Sequence, residues 1–286
     1  EASVEACRQA DAVLLGAMGL PDVRWPDGTE MRPQVDLRFL LDLYAGLRPI
    51  YLYTADHCPL KGYGPGDIDF VLLRENVEGL FASMNGGIQL RGETAVDSMV
   101  ITRTGTERIV RYAFELAQQR SGARSGNPPG RVTCVDKANI FRSMAFFRQI
   151  FDEVGAGYPA ITADHAYVDA MALYLVRQPQ TYDVLVAENM FGDIPSDLAA
   201  GLVGGLGMAP SGDIGEDAAV FQPVHGTAPD IAGQGVANPV GTILSAAMMW
   251  RWLGHRHDDE EALAAAARIE DAVRLVLADK KAATPD

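Results

Sequence analysis

Positive charge is in short supply: 24 Lys and Arg face 38 Asp and Glu, leaving a formal net charge of -14. General binding to nucleic acid needs clustered cations against phosphate, so that partner class is excluded, while a local cationic pocket stays open. Cysteine is scarcer still. Cys7, Cys58 and Cys134 have neither metal-ligand spacing nor the even count of a disulfide framework, and they read as buried or incidental thiols in a reducing cytoplasm. Also missing are an apolar run near the roughly 20 residues of a membrane helix and a signal peptide. A soluble, cytoplasmic chain with no membrane partner is expected.

What is present is ordinary globular material: 286 residues, 48% hydrophobic and 22% charged, enough for two lobes or one large α/β domain. The chain opens without Met, on a helix-like stretch from Glu1 to Gln9 and a strand-like one from Asp11 to Leu15, so it is expected to begin inside a domain. Apolar strand candidates at Ala12–Leu15, Ile50–Tyr53, Phe70–Leu73, Val132–Val135 and Val184–Ala187 alternate with helical patterns, which favours an α/β fold. The helical spacing predicts Asp36–Gly46, Glu107–Gln119, Ser143–Val154, His165–Val176, Ile243–Leu253 and Glu260–Leu277. Asn85 to Thr104 suggests a strand pair, Ser121 to Gly130 a surface loop, and Lys280–Asp286 a frayed tail. There is no internal repeat.

Three groups carry chemistry. Asn189 through Asp197, directly after an apolar strand, sets Asp193 and Asp197 four apart, on one face if the turn is helical. With Asp169 as a third oxygen ligand they suit Mg²⁺ or Mn²⁺, although acids at a helix start also complement its macrodipole without a metal. Arg38, Arg48 and Arg74 are guanidinium forks able to hold carboxylates bidentately, or ordinary surface arginines. Lys137 follows another strand; desolvated it would serve as a base, solvated it is only a strand-end lysine. The small-residue stretch from Gly201 to Gly207 leads to His225-Gly226-Thr227-Ala228-Pro229-Asp230 and Asn238-Pro239. A helix starting near Pro229 would present free N–H groups to a ligand. This is not a Rossmann G-x-G-x-x-G fingerprint.

Taken in order, Leu47-Arg48-Pro49, Arg74-Glu75-Asn76-Val77-Glu78-Gly79, Val135-Asp136-Lys137-Ala138-Asn139, Asn189–Asp197 and His225–Gly233 resemble the isocitrate/isopropylmalate dehydrogenase family over nearly the whole chain. The resemblance implies a non-Rossmann α/β fold of two lobes. The first is made of residues 1–43 and 204–286 on the cofactor side, and the second, residues 44–203, carries dimer contacts with the metal and substrate residues. It implies that Arg38, Arg48 and Arg74 hold malate carboxylates, that Asp193 and Asp197 bind the divalent ion with Asp169 of a partner subunit, and that Lys137 of the partner transfers a proton. A homodimer or higher homo-oligomer with shared active sites follows.

On the same resemblance Asn139 and Asn189 lie near the nicotinamide of NAD, and adenosine contacts fall on His225, Gly226, Thr227, Ala228, Asp230 and Asn238. Asp230 would accept hydrogen bonds from ribose hydroxyls and repel a 2′-phosphate, favouring NAD over NADP. The implied reaction is oxidative decarboxylation of a 3-substituted malate.

Several features depart from the family pattern. Its members begin earlier, with a strand and a Gly-Asp-Gly-Ile-Gly-Pro loop. Arg32 to Arg38 is shorter than the isopropylmalate pattern, lacks its Leu-Leu pair, and lacks the Ser-x-Asn of isocitrate enzymes. Cys58 to Gly62 and Pro65 to Phe70 look like tartrate/D-malate enzymes, whereas the lysine motif and Tyr167 to Met171 look like isopropylmalate enzymes. Phe81 stands where the family has the tyrosine that helps protonate the enol. The expected activity is 3-isopropylmalate dehydrogenase-like, with tartrate/D-malate and isocitrate versions as alternatives. An alternative of another class is a catalytically impaired homologue that binds NAD or acid in a regulatory role.

Overall fold

A computed structural model describes residues 2–20, 22–26, 28–84, 86–121, 130–279 and 284. In chain order it contains α1 (Ala2–Gln9), β1 (Val13–Leu14), α2 (Pro33–Leu40), β2 (Ala45–Tyr51), β3 (Asp69–Glu75) and a hairpin of β4 (Ile88–Leu90) with β5 (Thr94–Val96). Next come α3 (Arg103–Ser121), β6 (Arg131–Asp136), α4 (Arg142–Gly155), β7 (Thr162–Tyr167), α5 (Val168–Arg177), β8 (Val184–Ala187) and α6 (Asn189–Gly201). The chain continues through β9 (Pro210–Ile214), β10 (Ala219–Pro223), α7 (Val240–His257) and α8 (Glu260–Asp279).

Two units divide these elements: Glu1–Leu43, Leu52–Gly66 and Ala200–Asp286 make the first, and Tyr44–Tyr51 with Asp67–Ala199 the second. In the second, β2 and β3 run antiparallel, and β3, β8, β6 and β7 follow as parallel neighbours. Parallel strands need crossovers, and α3 packs across β3, β6 and β8 in that role. Its inward stripe, Ile109, Val110, Ala113, Phe114 and Ala117, is fully buried, and Phe114 lies tilted against Phe151 of α4 at 5.4 Å and stacks on Tyr158 at 4.9 Å. Burying each such ring contributes about 1.5–3 kcal/mol.

In the first unit β1 pairs parallel to β10, which pairs antiparallel to β9, and α7 packs on β9 and β10. Leu43, Ala218 and Val220 form a small core with Val13, Leu15 and Leu41. Asp258 turns left-handed (φ 52°) to stop α7, and the Asp259 side chain then accepts the N–H groups of Glu261 and Ala262 to start α8. No helix among the described residues is long and apolar enough to cross a membrane.

Several expectations change. The helix predicted over Asp36–Gly46 starts earlier, with Pro33 in its first turn, and ends at Leu40; left-handed Asp42 (φ 48°) breaks it, and Ala45 and Gly46 already belong to β2. The helix predicted from His165 begins only at Val168, because Thr162–Tyr167 is paired to β6 along its whole length. At Pro229 there is a single 3₁₀ turn, Pro229–Ile231, too short for the helix terminus expected there. Leu52–Gly66, placed by sequence in the second lobe, belongs with the first unit. A Cβ on Gly204 would lie 3.1 Å from His57 Nδ1, and His57 lines a cavity of about 470 Å³ with residues of α7 and α8. Of the loop predicted from Ser121 to Gly130, Ser121 instead ends α3 and residues 122–129 lie outside the described residues, as does most of the predicted tail.

Candidate active site

Strand β3 ends in Arg74-Glu75, and the motif that follows folds back on itself. The Glu75 carboxylate accepts the backbone N–H groups of Val77 and Glu78, and the Glu78 carboxylate holds Thr102 by its backbone and hydroxyl. Gly79 takes φ 72°, a left-handed shape that suits glycine. Burial pushes the Glu75 carboxyl up to about 7. With β8 beside β3, the start of α6 then comes up against Arg74.

Arg74 is only 3% exposed. Its Nε and Nη2 donate to Asn189 Oδ1 at 2.9 and 2.7 Å, Nη1 pairs with Asp193, and its Cζ lies 4.8 Å from the centre of the Phe81 ring. Asp197 follows Asp193 by one turn of α6, as the four-residue spacing predicts. Partial burial and then the charge of Asp193 raise the Asp197 carboxyl, while Arg48 and Arg74 pull it down. A divalent cation would relieve the opposition that Asp193 sets to the charge of Asp197, so these residues fit the implied metal. Among the described residues no three His, Cys, Asp or Glu side chains come together to hold one. Asp169 instead pairs with Lys137 of its own chain, and that hydrogen bond lowers its carboxyl.

The turn carrying Lys137 is set by Asp136, which is fully buried. Asp136 accepts Arg148 through both oxygens at 2.7 and 2.8 Å and the N–H of Ala138 at 2.8 Å. Lys137 lies 5.7 Å from the centre of the Tyr167 ring, and Asn139 is exposed in the same turn. Arg48 is 4% exposed on β2.

In the first unit, Arg38 is 7% exposed, and its Nε donates to Asp213 Oδ2 at 3.0 Å. Ala228 heads the 3₁₀ turn in a left-handed conformation (φ 43°) that an alanine adopts only at a cost. Thr227 Oγ1 donates to the carbonyl of Gly19, tying down the loop, and Gly226 and Asp230 are exposed. His225 Nδ1 lies 2.8 Å from the Gly226 carbonyl, while its Nε2 is buried with no hydrogen-bond partner among the described residues. An orphaned ring nitrogen in a tight small-residue loop fits a bound polar ligand such as the adenosine of a dinucleotide. Asn238 caps α7 through the N–H of Val240 and lines the 470 Å³ cavity.

The isocitrate/isopropylmalate dehydrogenase family profile matches residues 1–286. The chain belongs to that family. A 3-isopropylmalate dehydrogenase of Corynebacterium efficiens is 43% identical over 97% of this chain and 78% of its own length. A 3-isopropylmalate/3-methylmalate dehydrogenase of Methanocaldococcus jannaschii is also 43% identical, over 97% and 76%. The crystal structure of an isocitrate dehydrogenase from Methylococcus capsulatus superposes with a TM-score of 0.85 at 39% identity, covering all of this chain and 78% of its own.

Against the family's expected residue set, Asn189 stands out: it was expected at the nicotinamide, yet it is fully buried and bonded within the chain. Asp213, Glu75 and Glu188 were not anticipated. Glu188 is fully buried. Its Oε1 accepts the N–H of Phe191 at 2.7 Å, capping α6, and its Oε2 has no hydrogen-bond partner among the described residues. The apolar run into Glu188-Asn189 was the only available signal for it, and nothing local marked Asp213.

Proposed function

We propose that this chain is an NAD-dependent dehydrogenase that oxidatively decarboxylates a 3-substituted malate, with 3-isopropylmalate as the first candidate. The observation that carries this reading is Arg74 beside Asp193 and Asp197: a fixed guanidinium for a substrate carboxylate, next to a carboxylate pair for a divalent ion. Bound there, Mg²⁺ or Mn²⁺ would supply the charge that polarises the C2 oxygen and steadies the enolate, and NAD would supply the hydride acceptor. The chain's own residues do the rest.

Arg74, with Arg48, orients the carboxylates by paired N–H donors. Lys137 Nζ takes the C2 hydroxyl proton, directly or through water, working with Asp169 in the site of a partner subunit within a homodimer. Asp230, exposed in its turn, accepts ribose hydroxyls and disfavours the extra phosphate of NADP. The test is turnover of 3-isopropylmalate, D-malate, tartrate and isocitrate with NAD and Mn²⁺. We expect 3-isopropylmalate to lead, NADP to be poor and chelator to abolish the rate. Full activity in chelator, or no activity with any of the four acids, would overturn the reading.

Phe81 favours a second reading, an impaired homologue. Its ring holds its place over Arg74, but a ring without a hydroxyl cannot deliver the proton that C3 needs. A positioned acid contributes typically ~10²–10⁴-fold. Phe81→Tyr is therefore expected to speed ketone release relative to the first burst of NADH, with NAD affinity unchanged. If both rates stay as they were, the impaired reading loses its support.

A further inference from the structure

We infer that Asn189 is a positioning residue for Arg74, fixing which edge of the guanidinium meets the substrate, and is not a cofactor contact. This deepens the malate-dehydrogenase reading and rests on it. A guanidinium has a side edge, formed by Nε with the nearer terminal nitrogen, and an end edge formed by its two terminal nitrogens. Asn189 Oδ1 occupies the side edge, accepting Nε at 2.9 Å and Nη2 at 2.7 Å. Nη1, the terminal nitrogen that Asn189 leaves uncontacted, is the one that pairs with Asp193.

Asn189 is itself held from behind. Its Nδ2 donates to the Glu78 carbonyl at 3.1 Å, and it opens a helix whose first turn is tied by Glu188 to the N–H of Phe191. Gly192 completes the mould: a Cβ there would lie 2.8 Å from Arg74 Cβ and 2.9 Å from Cγ, so only glycine leaves room for the arginine shaft. The Phe81 ring covers one face. Because Asn189 is neutral it orients Arg74 without cancelling its charge, and because it is fully buried a dinucleotide has no access to its amide. The consequence is that loss of Asn189 registers in acid binding and not in NAD binding.

The test measures calorimetric affinities for 3-isopropylmalate with Mn²⁺, and separately for NAD, in wild type, Asn189→Ala, Arg74→Met and the double variant. Asn189→Ala is expected to weaken acid binding roughly 10- to 100-fold, the range for lost hydrogen bonds to a charged group, and to leave NAD within twofold. In the Arg74→Met background it should add nothing, since there is no guanidinium left to orient. Asn189→Asp, which keeps both acceptor contacts and suits folding beside a cation, should still weaken the acid because its charge offsets that of Arg74. Additive effects of the two substitutions, or a loss confined to NAD, would overturn the inference. If wild type binds no acid of the panel, the functional reading fails on its own, and a crystal structure of Asn189→Ala decides the positioning role: the guanidinium should leave its place, and an unmoved Arg74 refutes it.

Discussion

Arg38 and Arg74 look alike in sequence and are equally hidden in the structure, yet they are held in opposite ways. In the first unit Arg38 donates to Asp213, whose side chain is only 1% exposed and which also receives Gln222 Nε2 at 3.4 Å. In the second unit Arg74 donates to the neutral amide of Asn189, and Asp193, a carboxylate it pairs with, is 43% exposed. The first arginine is matched by a charge that water cannot reach. The second pairs with a counter-ion that water or a cation can exchange. A buried ion pair is costly to break and a half-exposed one is not, so equal burial of two arginines conceals unequal roles.

The largest expected effect breaks the buried pair. Asp213→Ala leaves the Arg38 charge stranded, and unfolding free energy in denaturant should fall by roughly 3–5 kcal/mol. Replacing both members, as Arg38→Met with Asp213→Leu, should recover most of that loss. A single-variant cost below about 1 kcal/mol would place the pair with the exposed kind.

Glu75 shows a third solution, in which burial draws a carboxyl toward its neutral form. Its folded value of about 7 stands above the ordinary 4.5, so the native state binds the proton more tightly than the unfolded chain. The stabilisation is therefore complete below pH 4.5 and is lost as pH rises through 7, by about 3 kcal/mol in all. Glu75→Gln, which mimics the protonated acid, should flatten that part of the stability–pH profile. An unchanged slope would mean that Glu75 is ionised in the folded protein.

What sequence showed of this was whatever lies close along the chain. The one-turn spacing of Asp193 and Asp197 and the strand before them were readable because helix and strand periodicities are local. So were the amphipathic helices α3, α4 and α8. Strand β9 was missed because Pro210-Ser211-Gly212-Asp213-Ile214 has little strand propensity, and its burial comes from pairing and from α7. Asp213 was missed for the same reason, since its partner is 175 residues away. The role of Asn189 was hidden differently. The motif marked the residue, but only the register of β3 against β8, with Arg74 opposite Ala187, shows that its amide faces an arginine.

The smallest expected effect completes the contrast between the two arginines. Asp193→Asn removes the carboxylate facing Arg74 while leaving Asn189 in place, so the guanidinium stays oriented and loses only an exposed counter-charge. Exposed pairs contribute about 0–1 kcal/mol, and the variant should unfold within that margin of wild type. Its cation response should change far more. A ligand that binds only the folded state stabilises it by RT ln(1 + L/Kd), with L its free concentration, and so raises the melting temperature more the tighter it binds. Mn²⁺ should therefore stabilise wild type and do so much less in the variant, where Asp197 lacks its neighbouring charge. Removing Asp193 also relieves the repulsion that raises Asp197, so that carboxyl should titrate lower, a shift readable by NMR. A stability loss comparable to that of Asp213→Ala would show that exposure is not what separates the pairs. An undiminished Mn²⁺ response would remove Asp193 from the metal site.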